Sequence, residues 1–403
     1  MTNDMLLEVP RQEFKAQSRS LINRLMLSGA PSWESKGQIP RSVWKQLAKN
    51  GMFHLPVAGP EVWRTSAFLK ELGFFGYGGI RSAIGVAAFM APFYIEKFGS
   101  SVLRTKYLPS IKNGDCIAAL AISEAGSGSD LREIGCMGEL DGTDLLVING
   151  QKDFIANGRQ ADIFVTLVKT DKSTQLRDLT VSSFVVIDAK SDCVNVEPID
   201  TMGWKSADVC KVRFNNCYVS VENIIGRANM GIIQLVAALD FERLVAGTMA
   251  LGGARRSIEN LIDTAVKTTT KGKPLGENQA VSHSIANHAS MLNLIEVFSN
   301  SAWELQADGK LDASTATTLK LRATELEMAV AQDLLRFNGS NGFRSDGAPA
   351  RFHRDAIAGT IAAGPSELMR DILFNEVCSS KLQKNTTKPI PAASPVLMAV
   401  AGE

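Results

Sequence analysis

Soft metal ligands are scarce in this 403-residue chain, which carries four histidines and six cysteines. The cysteines, Cys116, Cys136, Cys193, Cys210, Cys217 and Cys378, show neither CxxC nor zinc-ribbon spacing. His283 and His288 miss by one residue the spacing that puts two rings on one helical face. With His54 and His353 they read as core or surface residues, and no metal site is expected. Net charge is also lacking: the formal value is +1. That removes the electrostatic reason to expect nucleic acid or an anionic membrane as partner. The most apolar run, Ala83 to Ile95, is interrupted by Pro92 and reads as too short to cross a bilayer. The start, with Asp4, Glu8, Arg11 and Glu13, lacks the layout of a signal peptide. The chain closes on Ala-Gly-Glu rather than a peroxisomal tripeptide. Cytoplasmic residence is the expectation these absences leave.

What is present divides into three textures. From Glu8 to about Asn113, apolar residues recur at helical spacing, with Arg41–Asn50, Glu61–Leu72, Ala83–Phe98 and Ser101–Lys112 as clear segments. Four to six helices are expected there. From Cys116 to Gly226 the sequence turns to short β-branched or alternating runs, such as Ile163–Val168, Val181–Ile187 and Lys211–Phe214. Asp141-Gly142 and Asn149-Gly150 read as turns between them, and a sandwich or barrel is expected. Helical periodicity then returns in Asn229–Thr270, Glu277–Asp308, Ala313–Phe337 and Ile361–Cys378, with a short helix near Arg351–Ile357. The expectation is an α+β chain: a helical domain (1–115), a β domain (116–226), a four-helix bundle (227–383) and a loosely ordered tail (384–403) rich in proline.

The segment Gly226–Thr264 has no proline and reads as one long helix. On it Leu235, Leu239, Glu242, Ala246 and Met249 share a stripe. A lone carboxylate on an apolar face pays for desolvation unless it is protonated, so its pKa should rise and suit it to general-base work on a carbon acid. The competing reading is a Glu paired with a cation on a neighbouring helix or subunit.

Chemistry-bearing stretches recur along the β region. Ala119-Leu-Ala-Ile-Ser-Glu-Ala-Gly-Ser-Gly-Ser-Asp-Leu131 runs a strand into a turn with two glycines and three serines, leaving N–H groups and hydroxyls to meet an anion or a ring edge. Asn149-Gly-Gln-Lys-Asp-Phe-Ile-Ala-Asn-Gly158 reads as a strand between two Asn-Gly turns. Met202-Gly-Trp-Lys-Ser-Ala-Asp208 and Phe214–Gly226 follow, then Gly272–Gln279, Gly339-Ser-Asn-Gly-Phe343 and Arg354-Asp-Ala356 in the bundle. In this order, and over essentially the full length, the chain resembles the acyl-CoA dehydrogenase family of flavoproteins.

The resemblance implies FAD between the β domain and the bundle, and an acyl thioester held between the flavin and a base that removes the α-proton. Many members place the Glu base ahead of a G-T-S-E-like stretch, here Ile361-Ala-Ala-Gly-Pro-Ser-Glu367, where Ala363 fills the base position. The isovaleryl- and long-chain-type enzymes place it in an L-D-x-E-R-L context, which Leu239–Leu244 matches, so Glu242 is implied as base. By position, Leu120, Ile122, Ser123, Phe154, Ala156, Gly339 and Ser366 are implied around the flavin. Ser129, Asp240, Arg243, Ala363 and Gly364 are implied on the substrate side; an ordinary i,i+3 ion pair also explains Asp240 and Arg243. The N–H of Ala363 would polarise the thioester carbonyl.

Departures accompany the matches. Ala156 replaces a hydroxyl residue that reaches flavin N5. Thr269, Lys271, Arg336 and Pro365 alter the part that grips FAD across subunits. They suggest a divergent, biosynthetic member acting on CoA or carrier-protein thioesters. The family implies a homodimer or homotetramer, with electron-transfer flavoprotein or O₂ as electron acceptor. Besides dehydrogenation, a flavin oxidase or monooxygenase and a catalytically silent acyl-carrier scaffold stay open.

Overall fold

The computed structural model describes residues 3–131, 134–170 and 181–385. Most of the proline-rich tail, residues 386–403, lies outside them. Seven helical segments come first: α1 (Asn3–Met26), α2 (Ala30–Lys36), α3 (Arg41–Lys49), α4 (Trp63–Phe74), α5 (Gly78–Gly85), α6 (Ala91–Phe98) and α7 (Ser101–Lys112). Ser100 caps α7 by accepting from the Leu103 N–H. Pro92 does not interrupt its run, contrary to expectation. A π-turn over Val86–Met90 joins α5 to α6, so one helix extends over Gly78–Phe98. A widened turn opens the ladder just where a proline ring would otherwise meet the preceding carbonyl. This helix is long and apolar enough to span a bilayer, but 89% of its apolar window is buried inside the fold.

Strands follow: β1 (Ala118–Ala121), β2 (Met137–Leu140), β3 (Leu145–Ile155), β4 (Ile163–Lys169), β5 (Ser182–Asp188), β6 (Val194–Pro198) and β7 (Cys210–Ser220). They form one seven-stranded sheet in the order β1-β4-β2-β3-β7-β6, with β5 on the other side of β4. β4 is buried at every residue, which fits a sequence that is apolar but for Thr166 and the terminal Lys169. It runs parallel to β1, Leu120 opposite Val165, and antiparallel to β5. Asn149-Gly150 is not a turn. The strand passes through it as a β-bulge, with Gly150 at φ 146° and the register shifting against β7. A side chain there would run into Cys136, so the glycine serves close packing. Asp141-Gly142 does turn, with Thr143 N–H donating to Asp141. Cys193 and Cys217 are joined as a disulfide between the β6 approach and β7, a pairing their spacing did not signal.

The remainder is helical: α8 (Gly231–Lys267), a short hairpin of β8 (Thr269–Thr270) and β9 (Lys273–Pro274), α9 (Gln279–Ala307), α10 (Ala313–Phe337), α11 (Gly339–Gly342), α12 (Ala348–Ile361) and α13 (Ser366–Asn385). The expected helix from Ile361 starts later. Ala363 and Gly364 take left-handed backbone and Pro365 follows, so a turn separates α12 from α13. The long helix α8 packs against α4, α9 and α10 and touches β5. Gly252 lets α4 approach: a Cβ there would sit 2.1 Å from the Lys70 carbonyl oxygen. From Phe241 to Val245 every residue of α8 is buried, so its middle is enclosed rather than striped.

Candidate active site

Glu242 sits in that enclosed stretch at 5% exposure. Its wall is aromatic. Phe241 stacks on Phe93 of α6 with centroids 4.5 Å apart, and Tyr94 lies 4.4 Å from Phe184 of β5. The Tyr94 hydroxyl donates to Glu242 Oε1 at 2.6 Å. Oε2 takes no hydrogen bond among the described residues. Within the chain, no cation among the described residues forms an ion pair with Glu242. Its neighbour Arg243 turns to Asp240 at 3.5 Å and to the Thr317 hydroxyl at 3.3 Å. Burial is the largest influence on the Glu242 carboxyl and pushes its pKa up to about 7. The Tyr94 hydrogen bond and the nearby Arg243 oppose that rise.

Asp240 and Arg243 form the i,i+3 pair that ordinary helix geometry allows, with Arg243 buried and Asp240 partly exposed. Arg243 also neighbours Lys320 of α10, whose side chain is buried and whose ammonium donates to the carbonyl oxygen of Gly364. Desolvation, with Arg243 alongside, pulls the Lys320 pKa down to about 8. Lys320 thus ties α10 to the Ala363-Gly364 turn, while it feels the charge of Arg243 on α8. Ala363 holds φ 55° and Gly364 φ 95°.

Two of the sequence motifs meet at the end of β1. Lys152 is buried and donates to the Ile122 carbonyl at 3.0 Å and to Glu124 at 2.7 Å. The Asp153 N–H donates to the Ser123 carbonyl, and the Asp153 carboxylate accepts from the Ala125 N–H. This lattice fixes the end of β1, which carries Leu120, and the turn after it, which carries Ile122 and Ser123, against the strand of Phe154. Phe154 is 66% exposed on left-handed backbone, and Ala156 is half-buried. Ser129 is exposed farther along the turn. A second pair of motifs forms a latch, in which Asp355 accepts from the Trp204 and Gly78 N–H groups at 2.7 and 2.9 Å.

Ser366 is 5% exposed, and its hydroxyl has no hydrogen-bond partner among the described residues. An orphaned buried hydroxyl, an uncovered aromatic ring and a turn pinned from behind are features a flat ring system with polar edges would satisfy. These residues fit a flavin. Gly339 is exposed at the end of α10 with φ 57°, and Arg336, which could have lent charge to the cofactor, pairs with Asp333 at 3.3 Å. No group of three or more potential metal ligands occurs among the described residues. His288 instead bonds Asp333 at 3.0 Å.

Sequence reasoning missed Tyr94, Lys320 and the Glu124–Lys152 pair. Tyr94 lay inside an apolar run with nothing nearby to advertise a polar role. Lys152 was visible only as a motif letter.

The fold and sequence are similar to those of known proteins. Residues 10–115, 119–217 and 229–377 match the models of the N-terminal, middle and C-terminal domains of acyl-CoA dehydrogenase. Isovaleryl-CoA dehydrogenase of Arabidopsis thaliana is 30% identical over 69% of this chain and 68% of its own length. Long-chain specific acyl-CoA dehydrogenase of Sus scrofa is 24% identical over 91% of this chain and 86% of its own. The crystal structure of an acyl-CoA dehydrogenase from Geobacillus kaustophilus superposes with a TM-score of 0.85 at 26% identity, covering 91% of this chain and 98% of that one.

Proposed function

The chain belongs to the acyl-CoA dehydrogenase family, and on that premise we propose that it oxidises an acyl thioester across Cα–Cβ with Glu242 as the base. It is a flavin oxidoreductase whose cofactor is FAD. The observation that carries the assignment of the base is a buried carboxylate with one oxygen held by Tyr94 and the other free of protein donors.

FAD, when bound, supplies the two-electron acceptor for the hydride that leaves Cβ. The residues named for it are Leu120, Ile122, Ser123, Phe154, Ala156, Gly339 and Ser366. Everything else is asked of the chain itself. The aromatic wall excludes water and keeps Glu242 close to the pH at which it can both take and release a proton. Oε2 takes the α-proton. The Ala363 N–H donates to the thioester carbonyl oxygen as negative charge gathers there, and Lys320 steadies the turn that presents it. Asp240, Arg243, Ser129 and Gly364 complete the substrate side. Since Asp240 and Arg243 already neutralise one another, their contribution is shape and field rather than a free charge.

The substrate class is a CoA or carrier-protein thioester, and the electron acceptor is electron-transfer flavoprotein or O₂. A second reading, a flavin oxidase or monooxygenase that uses O₂, has one specific support. Ala156 offers no hydroxyl where the family contacts flavin N5. The chain acts in the cytoplasm as a homodimer or homotetramer, and the exposed apolar residues Met291, Leu294 and Val297 of α9 favour self-association. We place its domains at 1–115, 116–226 and 227–383.

The test is a visible spectrum of the purified protein before and after anaerobic addition of isovaleryl-CoA, palmitoyl-CoA and carrier-protein thioesters. A yellow protein bleached by at least one of them supports dehydrogenation. Oxygen consumed in step with turnover, with oxygen atoms appearing in product, supports the second reading. A colourless protein that takes up no added FAD rejects both and favours a silent scaffold.

A further inference from the structure

A carboxylate used as a base on carbon must offer one oxygen to the proton and keep the other from competing for it. Glu242 hangs on a helix whose surroundings are almost wholly apolar, so a free side chain there would sample several rotamers. Among the described residues, one polar group from another element hydrogen-bonds it, the Tyr94 hydroxyl of α6 at 2.6 Å from Oε1. Tyr94 itself has no freedom to follow a moving partner. It is fully buried, against Phe184 on one side and Phe98 on the other. Its helix is fixed by the π-turn and by the stack of Phe93 on Phe241, the residue next to Glu242.

We infer that Tyr94 is the positioning residue of the base, pinning Oε1 so that Oε2 is the oxygen presented to the substrate. This rests on the assignment of Glu242 above and adds a residue the family motifs do not include. The hydroxyl donates and does not relay, because burial beside a carboxylate raises the Tyr94 pKa well above its ordinary value. Donation favours the charged carboxylate, so loss of the hydroxyl moves Glu242 further towards its neutral form.

The other charges around the pair are accounted for. On α8, Arg243 favours the carboxylate, and Asp240 is partnered with Arg243. From α6, Lys97 faces Asp240. From α10, Lys320 faces Arg243 and is tied to Gly364. The β5 contact, Phe184, carries no charge. Tyr94 is thus the one neutral donor on the base, and its removal leaves the ion pairs in place.

The test is carbon-13 NMR of the glutamate side-chain carboxyls in the FAD-loaded protein, with the Glu242 signal identified by its loss in Glu242→Gln. Tyr94→Phe should raise the Glu242 titration midpoint by about one pH unit or more, the scale of a hydrogen bond to a charged group. Fluorotyrosine at position 94, a stronger donor of nearly the same shape, should lower it. The acid limb of the pH profile for flavin bleaching by isovaleryl-CoA should move the same way in each case. Unchanged midpoints in both variants, with nothing altered but melting temperature, would overturn the inference. If the midpoints move but Glu242→Gln still bleaches flavin at the wild-type rate, the hydrogen bond stands and the assignment of the base fails.

Discussion

Lys320 Nζ lies 2.5 Å from the carbonyl oxygen of Gly364, joining the middle of α10 to the turn ahead of α13. A buried lysine without a carboxylate against it is costly to keep charged, and burial accordingly lowers its pKa to about 8. The turn it holds contains Ala363 in left-handed backbone, a conformation that costs a non-glycine residue about 1 kcal/mol or more. Lys320→Met keeps the aliphatic stem and deletes the donor. It should leave FAD content unchanged while lowering kcat/KM for a thioester roughly tenfold, because the Ala363 N–H loses its aim. Flavin spectra and steady-state rates measured side by side check this.

A raised carboxyl pKa also has a thermodynamic signature. Unfolded, Glu242 titrates near 4.5; folded, near 7. Between those values the native state binds the proton and the unfolded state does not, so stability falls as pH rises through that window. The loss amounts to about 3 kcal/mol by pH 8. Glu242→Gln removes this group's share of the dependence, while Asp355 and Glu327, also raised by burial, keep theirs. It should be close to wild type in stability at pH 4.5 and more stable at pH 8, as denaturant melts at both pH values will reveal.

Arg81 of α5 and Glu327 of α10 form a bidentate pair at 2.6 Å on each arm, both side chains nearly solvent-free. Arg81 additionally donates to the Met249 carbonyl of α8. Breaking such a pair leaves an uncompensated buried charge. Arg81→Met should cost about 3–5 kcal/mol. Arg81→Met combined with Glu327→Leu should recover much of it, a contrast visible in urea melts of the single and double variants.

Leu294 and Val297 of α9 are 66% and 69% exposed, with Met291 beside them at 44%. If this face is where copies of the chain meet, Leu294→Glu with Val297→Lys should shift the protein to a smaller species by light scattering. The helix itself should persist, since both positions already face out.

The sequence carried the architecture because its signals were strong and local. Helices α7 and α10 match the segments Ser101–Lys112 and Ala313–Phe337 expected from their apolar spacing. The strand β4 announces itself by a short run of β-branched and apolar residues, Ile163–Val168. Misreadings fell where tertiary packing overrode a local rule. Asn149-Gly150 has the composition of a turn, yet the approach of Cys136 makes it a bulge. Pro92 has the composition of a helix stop, yet a π-turn absorbs it. At the site, Glu242 was legible because a carboxylate in an apolar setting is conspicuous in one dimension. Tyr94 was not, because a tyrosine among apolar residues is unremarkable until a carboxylate 148 residues away closes on its hydroxyl.

Proton removal by Glu242 is best tested in stopped flow, by mixing FAD-loaded wild type and Glu242→Gln anaerobically with the thioester that bleaches the wild type most. Loss of the bleaching phase by about a thousandfold or more, with thioester affinity and the flavin spectrum retained, is the result expected of the base. Bleaching by Glu242→Gln at the wild-type rate would contradict it.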